Sequence, residues 1–68
     1  MYSKELQTQT KEYFKSDPIA MMKQFDTHKF GACQLESDGR YYITVFDSDE
    51  VLSFNTIDEL LEAGWAID

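Results

Sequence analysis

The chain has one histidine, His28, and one cysteine, Cys33, which are the side chains that could form a nucleophile and its base. Hydrolysis by a triad also requires an acid that orients the histidine. His28 falls in a segment that we interpret as a solvated loop, and Cys33 falls in a predicted strand, where cysteine is usually a small buried residue. We therefore expect no catalytic residues and no enzymatic activity.

Metal ligands are equally sparse in the sequence. Zinc requires three or four histidine, cysteine or acidic ligands with local spacing. The chain has only one histidine and one cysteine, which are too few. The acidic run Asp47–Glu50 loosely matches a helix-loop-helix calcium loop, with Asp58 at its twelfth position. The match fails at the sixth position, where Leu52 replaces the glycine that makes the sharp turn. We expect a solvated acidic turn and no metal or other cofactor.

The segment from Arg40 to Phe46 has the basic and aromatic character of strands that stack RNA bases. It lacks the glycine expected after the basic residue of the sheet-type RNA-recognition signature. The net charge of −7 also opposes binding, because neutralisation of phosphates by lysine and arginine dominates affinity for nucleic acids. We expect no direct contact with nucleic acid.

The length and composition predict one small domain, residues 1–68, with a modest core. Hydrophobic residues make up 43% of the chain, but no apolar run approaches the ~20 residues that cross a bilayer. Residues 1–6 lack the apolar centre of a signal peptide, and the single Cys33 cannot form an internal disulfide. These features favour a reducing cytoplasm and exclude a membrane span.

Three helices are predicted from periodicity and capping signals. The apolar spacing over Ser3–Lys15 indicates an amphipathic helix. Ser16 and Asp17 followed by proline indicate a second, shorter helix over Pro18–Phe25, because proline suits the first helical position. Thr56 with Glu59 three residues later forms a capping box at the start of the third helix.

Between the second and third helices the apolar period changes to two, which predicts strands. Asp38-Gly39 is typical of a two-residue hairpin turn, and Asp47–Glu50 marks a second turn with Ser48-Asp49 as its loop. The predicted cross-strand pairs are Leu35 with Tyr42, Cys33 with Thr44, Ala32 with Val45, Phe46 with Val51, Val45 with Leu52 and Ile43 with Phe54. The expected fold is α+β, a three-stranded antiparallel meander with two N-terminal helices and one C-terminal helix, in the order α-α-β-β-β-α.

Alternation along these strands separates two faces. We assign the more aliphatic face to the helices; it carries Ala32, Tyr41, Ile43, Val45, Leu52 and Phe54. The other face is also apolar and carries Cys33, Leu35, Tyr42, Thr44, Phe46, Val51 and Ser53. Two interpretations remain open: helices wrapped around both faces, or an exposed apolar patch that binds a partner or a second copy.

Charge is segregated along the chain. Residues 1–30 hold five lysines and four acids, whereas residues 31–68 hold one arginine and nine acids. The sequence therefore predicts a non-catalytic protein-binding module whose acidic half mimics nucleic acid on a basic surface of a nucleic-acid-binding protein. In size and charge alone, the chain resembles small phage-type inhibitors.

The predicted contacts with this partner comprise six carboxylates and two aromatic anchors: Asp47, Asp49, Glu50, Asp58, Glu59, Glu62, Tyr42 and Phe46. Two alternatives remain. The acids could serve only to keep a small domain soluble. The chain could also be a structural or assembly protein that forms a homodimer through the apolar sheet face.

Overall fold

A computed structural model describes all 68 residues. The elements are α1 (Lys4–Ser16), β1 (Ile19–Gln24), β2 (Phe30–Leu35), β3 (Tyr41–Val45), β4 (Val51–Phe54), α2 (Ile57–Glu62) and β5 (Trp65–Ile67). The strands form one antiparallel sheet in the order β4-β3-β2-β1-β5. The α+β class is confirmed, but the sheet has five strands and the molecule two helices.

The predicted helix over Pro18–Phe25 is wrong, because this segment forms β1. Its burial alternates: Ala20, Met22 and Gln24 are buried on one face. The Asp17 carboxylate accepts a hydrogen bond from the Ile19 N–H (3.0 Å) at the start of the strand. The residue that resembled a helix cap therefore begins a strand, which hydrogen bonds to β2 and β5 then extend.

Both helices begin close to their predicted starts. Ser3 caps α1 by accepting a hydrogen bond from the Leu6 N–H, and Thr56 and Glu59 form the predicted capping box of α2. After α2, Gly64 adopts a left-handed conformation with φ of 89°, and a Cβ there would lie 2.8 Å from Gln24 Nε2. This tight turn directs the chain into β5, a strand that the sequence analysis did not predict.

The predicted register of the first hairpin is wrong by one residue. The loop contains three residues, 37–39, because the Glu36 N–H donates to the Arg40 carbonyl (2.9 Å) and Gly39 takes the left-handed position with φ of 85°. Leu35 consequently pairs with Tyr41. A one-residue shift reverses the two faces of β2 relative to β3. Cys33 and Leu35 therefore face the helices, and Ala32 faces away from them.

The predicted register of the second hairpin is wrong by two residues. Ile43, and not Val45, pairs with Leu52, because the Val45 N–H donates to the Glu50 carbonyl and closes a four-residue loop over residues 46–49. An even shift leaves each side chain on its original face. Leu52 and Phe54 therefore still face the helices, as predicted.

The core lies between the two helices and one face of the sheet. It consists of Phe14, Ala20, Met22, Cys33, Ile43, Val45, Leu60, Leu61 and Trp65. Phe14 of α1 packs edge to face on Tyr41, with ring centroids 5.3 Å apart. Neither helix is long and apolar enough to cross a lipid bilayer. Packing on one side leaves the opposite side of the sheet without a helix.

Candidate functional site

The face of the sheet that points away from the helices is here called the open face. The cross-strand pairs arrange its residues in rows: Lys23, Phe30 and Phe46; Met21, Ala32, Thr44 and Val51; and Ile19, Gln34, Tyr42 and Ser53. Met21, Phe30 and Phe46 are 52%, 48% and 47% exposed. Large apolar side chains in adjacent rows form a contiguous exposed patch of the kind that marks interaction sites.

Phe46 extends the open face beyond the end of β3. Its N–H donates to the Phe30 carbonyl (2.8 Å), so the ladder continues and the two rings occupy neighbouring strands on the same side. With Met21 these rings line a groove of about 540 Å³. His28 and Asp47, both in left-handed conformations, line the groove from the two loops at that end of the sheet.

The loop between β3 and β4 carries Asp47, Asp49 and Glu50, which we call the acidic turn. All three residues are exposed. The molecule contains two ion pairs, Lys11 with Asp58 (3.1 Å) and Lys15 with Glu12 (3.0 Å), and neither involves the acidic turn. Three carboxylates without an ion-pair partner therefore lie at this end of the sheet. Asp47 lines the groove with Phe46 and Lys29, whereas Glu50 lies opposite Val45 and faces the helix side of the sheet.

The predicted carboxylates of α2 have a different location. α2 packs on the opposite face of the sheet, with Leu60 and Leu61 in the core. Glu59 accepts hydrogen bonds from the Asn55 and Thr56 N–H groups (both 3.0 Å), and Asp58 is paired with Lys11. Glu62 is exposed. The structure thus brings Asp47 and Phe46 together in the groove, with Asp49 and Glu50 in the same loop, and it separates them from Asp58 and Glu59.

Tyr42, the second predicted anchor, lies on the open face two rows from Phe46. Its hydroxyl lies 3.4 Å from Asp38 Oδ2, and the Arg40 guanidinium carbon lies 5.7 Å from its ring centroid. These contacts hold Tyr42 against the first hairpin loop. It belongs to the far end of the open face and not to the groove.

The sequence analysis missed Met21, Phe30 and Ile19 as surface residues. Met21 and Ile19 were assigned to a helix. Residues 19–22 are all apolar, so the period of two appears only in the burial of the folded strand. Phe30 was recognised as the start of the strands, but its pairing with Lys23 of β1 was not predicted. The open face is therefore larger than the meander alone predicted.

Cys33 and His28 lie apart from each other in the fold. Cys33 is 1% exposed in the core, and burial raises the pKa of its thiol to about 12. His28 is exposed in the loop between β1 and β2. A protonated core thiol is a poor nucleophile, so the two side chains do not form a reactive pair. No group of three or more histidine, cysteine or acidic side chains is arranged to hold a metal ion.

Comparisons of the chain with protein-family models, with curated proteins and with solved structures found no match.

Proposed function

We propose that the chain is a non-catalytic protein-binding module whose open face and acidic turn dock together on a basic surface of a partner protein. A nucleic-acid-binding groove is such a surface, and carboxylates of the acidic turn would occupy positions of phosphates in it. The observation that supports this proposal is the position of Met21, Phe30 and Phe46 beside Asp47, in a turn whose three carboxylates have no ion-pair partners.

The two parts of this surface have different roles in binding. Exposed aromatic and methionine side chains release free energy when a partner buries them, and they are typical of interface centres. Unpaired carboxylates at the rim attract a basic partner and set its orientation, which mainly raises the association rate. The acidic turn and Phe46 therefore act as one surface, since the partner that buries the ring also meets the charges.

The proposal is tested by capture of partners from a bacterial lysate, followed by affinity measurements with the purified partner. We expect the variant D47N/D49N/E50Q to bind at least about tenfold more weakly at low salt and to show a smaller dependence on salt. The matched control is E5Q/E12Q/E36Q, which changes the net charge from −7 to −4, as the first variant does. Glu5 and Glu12 lie on α1, and Glu36 directly precedes the first hairpin loop, so the affinity of this control should stay near that of the unmodified chain.

Two results would argue against this function. If both triple variants bind the partner more weakly by the same factor, overall charge, and not the acidic turn, controls binding. Unchanged affinity in Phe46→Ala would remove the open face from the interface. Circular dichroism of each variant shows whether the fold is retained before its affinity is interpreted.

The exposure of Ile19 and Val51 favours a second candidate function, self-association through the open face, because these residues extend the apolar surface beyond the groove. A twofold arrangement of two copies could place the two acidic turns at opposite ends of the interface. Light scattering distinguishes the candidates. A salt-resistant dimer that Tyr42→Ala weakens supports self-association, whereas a monomer that binds a basic protein in a salt-dependent way supports the proposed function.

A further inference from the structure

The two edges of the sheet differ in whether another element covers their outward backbone groups. At the β5 edge, Thr10 of α1 is fully buried and its Oγ1 accepts a hydrogen bond from the outward Ile67 N–H (3.2 Å). The same hydroxyl donates to the Leu6 carbonyl (2.8 Å). α1 therefore covers this edge and satisfies its backbone donor.

The β4 edge lacks such a cover. In an antiparallel pair, alternate residues direct their backbone groups towards the neighbouring strand and away from it. Because the Val45 N–H donates to the Glu50 carbonyl, Leu52 and Phe54 are the residues of β4 whose backbone groups bond to β3. The backbone groups of Val51 and Ser53 consequently point outward, and both residues are exposed. The next outward donor, the Asn55 N–H, is bound by the Glu59 carboxylate (3.0 Å). Free backbone groups remain along the middle of β4.

Natural edge strands usually carry lysine, proline or a bulge that prevents pairing with another chain. The β4 sequence Val-Leu-Ser-Phe has none of these features, and Val51 is 60% exposed. The edge is thus suited to accept a further strand, in the way that peptide-binding domains extend their sheets.

A second cavity borders Leu52 and Phe54 of β4 and extends inwards from this edge towards Trp65 of β5. It has a volume of about 340 Å³ and lies on the helix side of the sheet. Leu52 and Phe54 line it on one side and Trp65 on another, with Glu50 and Lys29 also in its lining. An added strand would direct alternate side chains to this side of the sheet, next to Leu52.

We propose that the β4 edge binds an extended, basic segment of the partner protein as a sixth strand. Its apolar side chains would contact Leu52. Its basic side chains would lie on the open-face side at the Val51 end of β4, next to the acidic turn and away from Arg40 at Ser53. The basic character of the segment rests on the proposed function. Charge favours such a segment over a second copy of the chain, because each copy carries −7.

The test uses a capped eight-residue peptide that alternates lysine and valine, titrated into ¹⁵N-labelled protein and followed by NMR. Every strand pair of the sheet is antiparallel, and we expect the same for the peptide. Val51 and Ser53 point to the open-face side, so the directly opposed lysines of an antiparallel peptide would form the backbone hydrogen bonds. N-methylation of the lysine backbone nitrogens should therefore weaken binding by about tenfold or more. N-methylation of the valine nitrogens, which face outward, should change affinity by less than about threefold. Binding of the unmodified peptide should protect the amides of Val51 and Ser53 from hydrogen exchange.

A variant of the protein provides an independent check. Ser53→Pro removes one outward N–H without breaking the ladder to β3, a position where edge strands tolerate proline. It should abolish peptide binding, whereas Ser53→Ala, which loses only the weak contact with the Arg40 guanidinium (3.4 Å), should bind normally.

The outcomes separate this inference from the proposed function. Equal binding of all three peptides, or no binding of any, overturns the edge inference, while the triple-variant experiment still decides the proposed function. Sensitivity to lysine N-methylation without sensitivity to D47N/D49N/E50Q supports the edge and contradicts the charge requirement. Dimers that Ser53→Pro abolishes would show that a second copy occupies the edge, which overturns the inference.

Discussion

Cys33 lies at the centre of the sheet, with Ala20 and Ile43 opposite it in the neighbouring strands. Its surroundings are apolar, and burial of the thiol raises its pKa from 9.0 to about 12. Burial also raises the pKa of Tyr41, and the nearby Cys33 raises it further. Both groups are therefore neutral in the folded protein at physiological pH, and their ionisation opposes folding.

This residue gives a prediction about alkaline stability. The stabilising contribution of the protonated thiol is complete below pH 9.0 and is lost as the pH rises towards about 12, because the thiol ionises first in the unfolded chain. Urea unfolding between pH 7 and 10.5, followed by Trp65 fluorescence, should show a steeper decline for the unmodified chain than for Cys33→Ala. Tyr41 titrates in both proteins, and Cys33 raises its pKa, so the difference between the two profiles reports the thiol together with its effect on Tyr41. Parallel profiles would contradict the assignment.

The burial of Cys33 could be predicted from the sequence, because a cysteine among alternating apolar residues is usually a small core residue. Its face could not. The Asp38-Gly39 pair is compatible with a two-residue and a three-residue loop, and the difference of one residue reverses the face. A residue type thus predicted burial, while the direction of the side chain depended on loop geometry.

Gln24 connects separate elements at one end of the sheet. Its Nε2 donates to the Ala63 carbonyl at the end of α2 (2.8 Å), and its Oε1 accepts from the Thr27 N–H (2.6 Å) and the Thr27 hydroxyl (2.9 Å). The side chain is 8% exposed. One amide therefore joins β1, the loop after it and the C-terminus of α2.

Replacement of Gln24 by methionine should destabilise the fold by about 1–3 kcal/mol, because the partners of the amide lose their hydrogen bonds in a partly buried site. The matched control is Gln34→Met, the same change at an exposed position of β2, which should alter stability by less than about 0.5 kcal/mol. Urea unfolding measures both values. Equal effects of the two substitutions would show that Gln24 has no special role in connecting the elements.

Local signals predicted α1, the strands from Phe30 onward and the capping box of α2. They failed for Pro18–Phe25, because Asp17 before a proline is equally suited to begin a helix or, through its bond to the Ile19 N–H, a strand. They also failed for β5, whose three residues are too few to show a period. Both strands depend on pairing with each other, and such long-range pairing leaves no local pattern.

At the scale of the whole molecule, the charge segregation of the sequence is only partly retained. Lys11 of α1 packs beside α2 and pairs with Asp58, so charges from the two halves of the chain meet on the helix side. The acidic turn has no such pair. The sequence therefore indicated Phe46 and the acidic turn as part of the candidate surface, but not Met21 or Phe30, since their position depends on the five-stranded sheet.

The most direct test of the open face as the partner-binding surface uses the three methionine methyl groups and a soluble paramagnetic relaxation agent. In the free protein, Met1 and Met21 are 61% and 52% exposed and Met22 is fully buried, so relaxation should be enhanced at the first two only. In complex with the captured basic partner, we predict that the Met21 methyl becomes protected while Met1 stays accessible. A complex in which Met21 remains as accessible as in the free protein would contradict the proposed function.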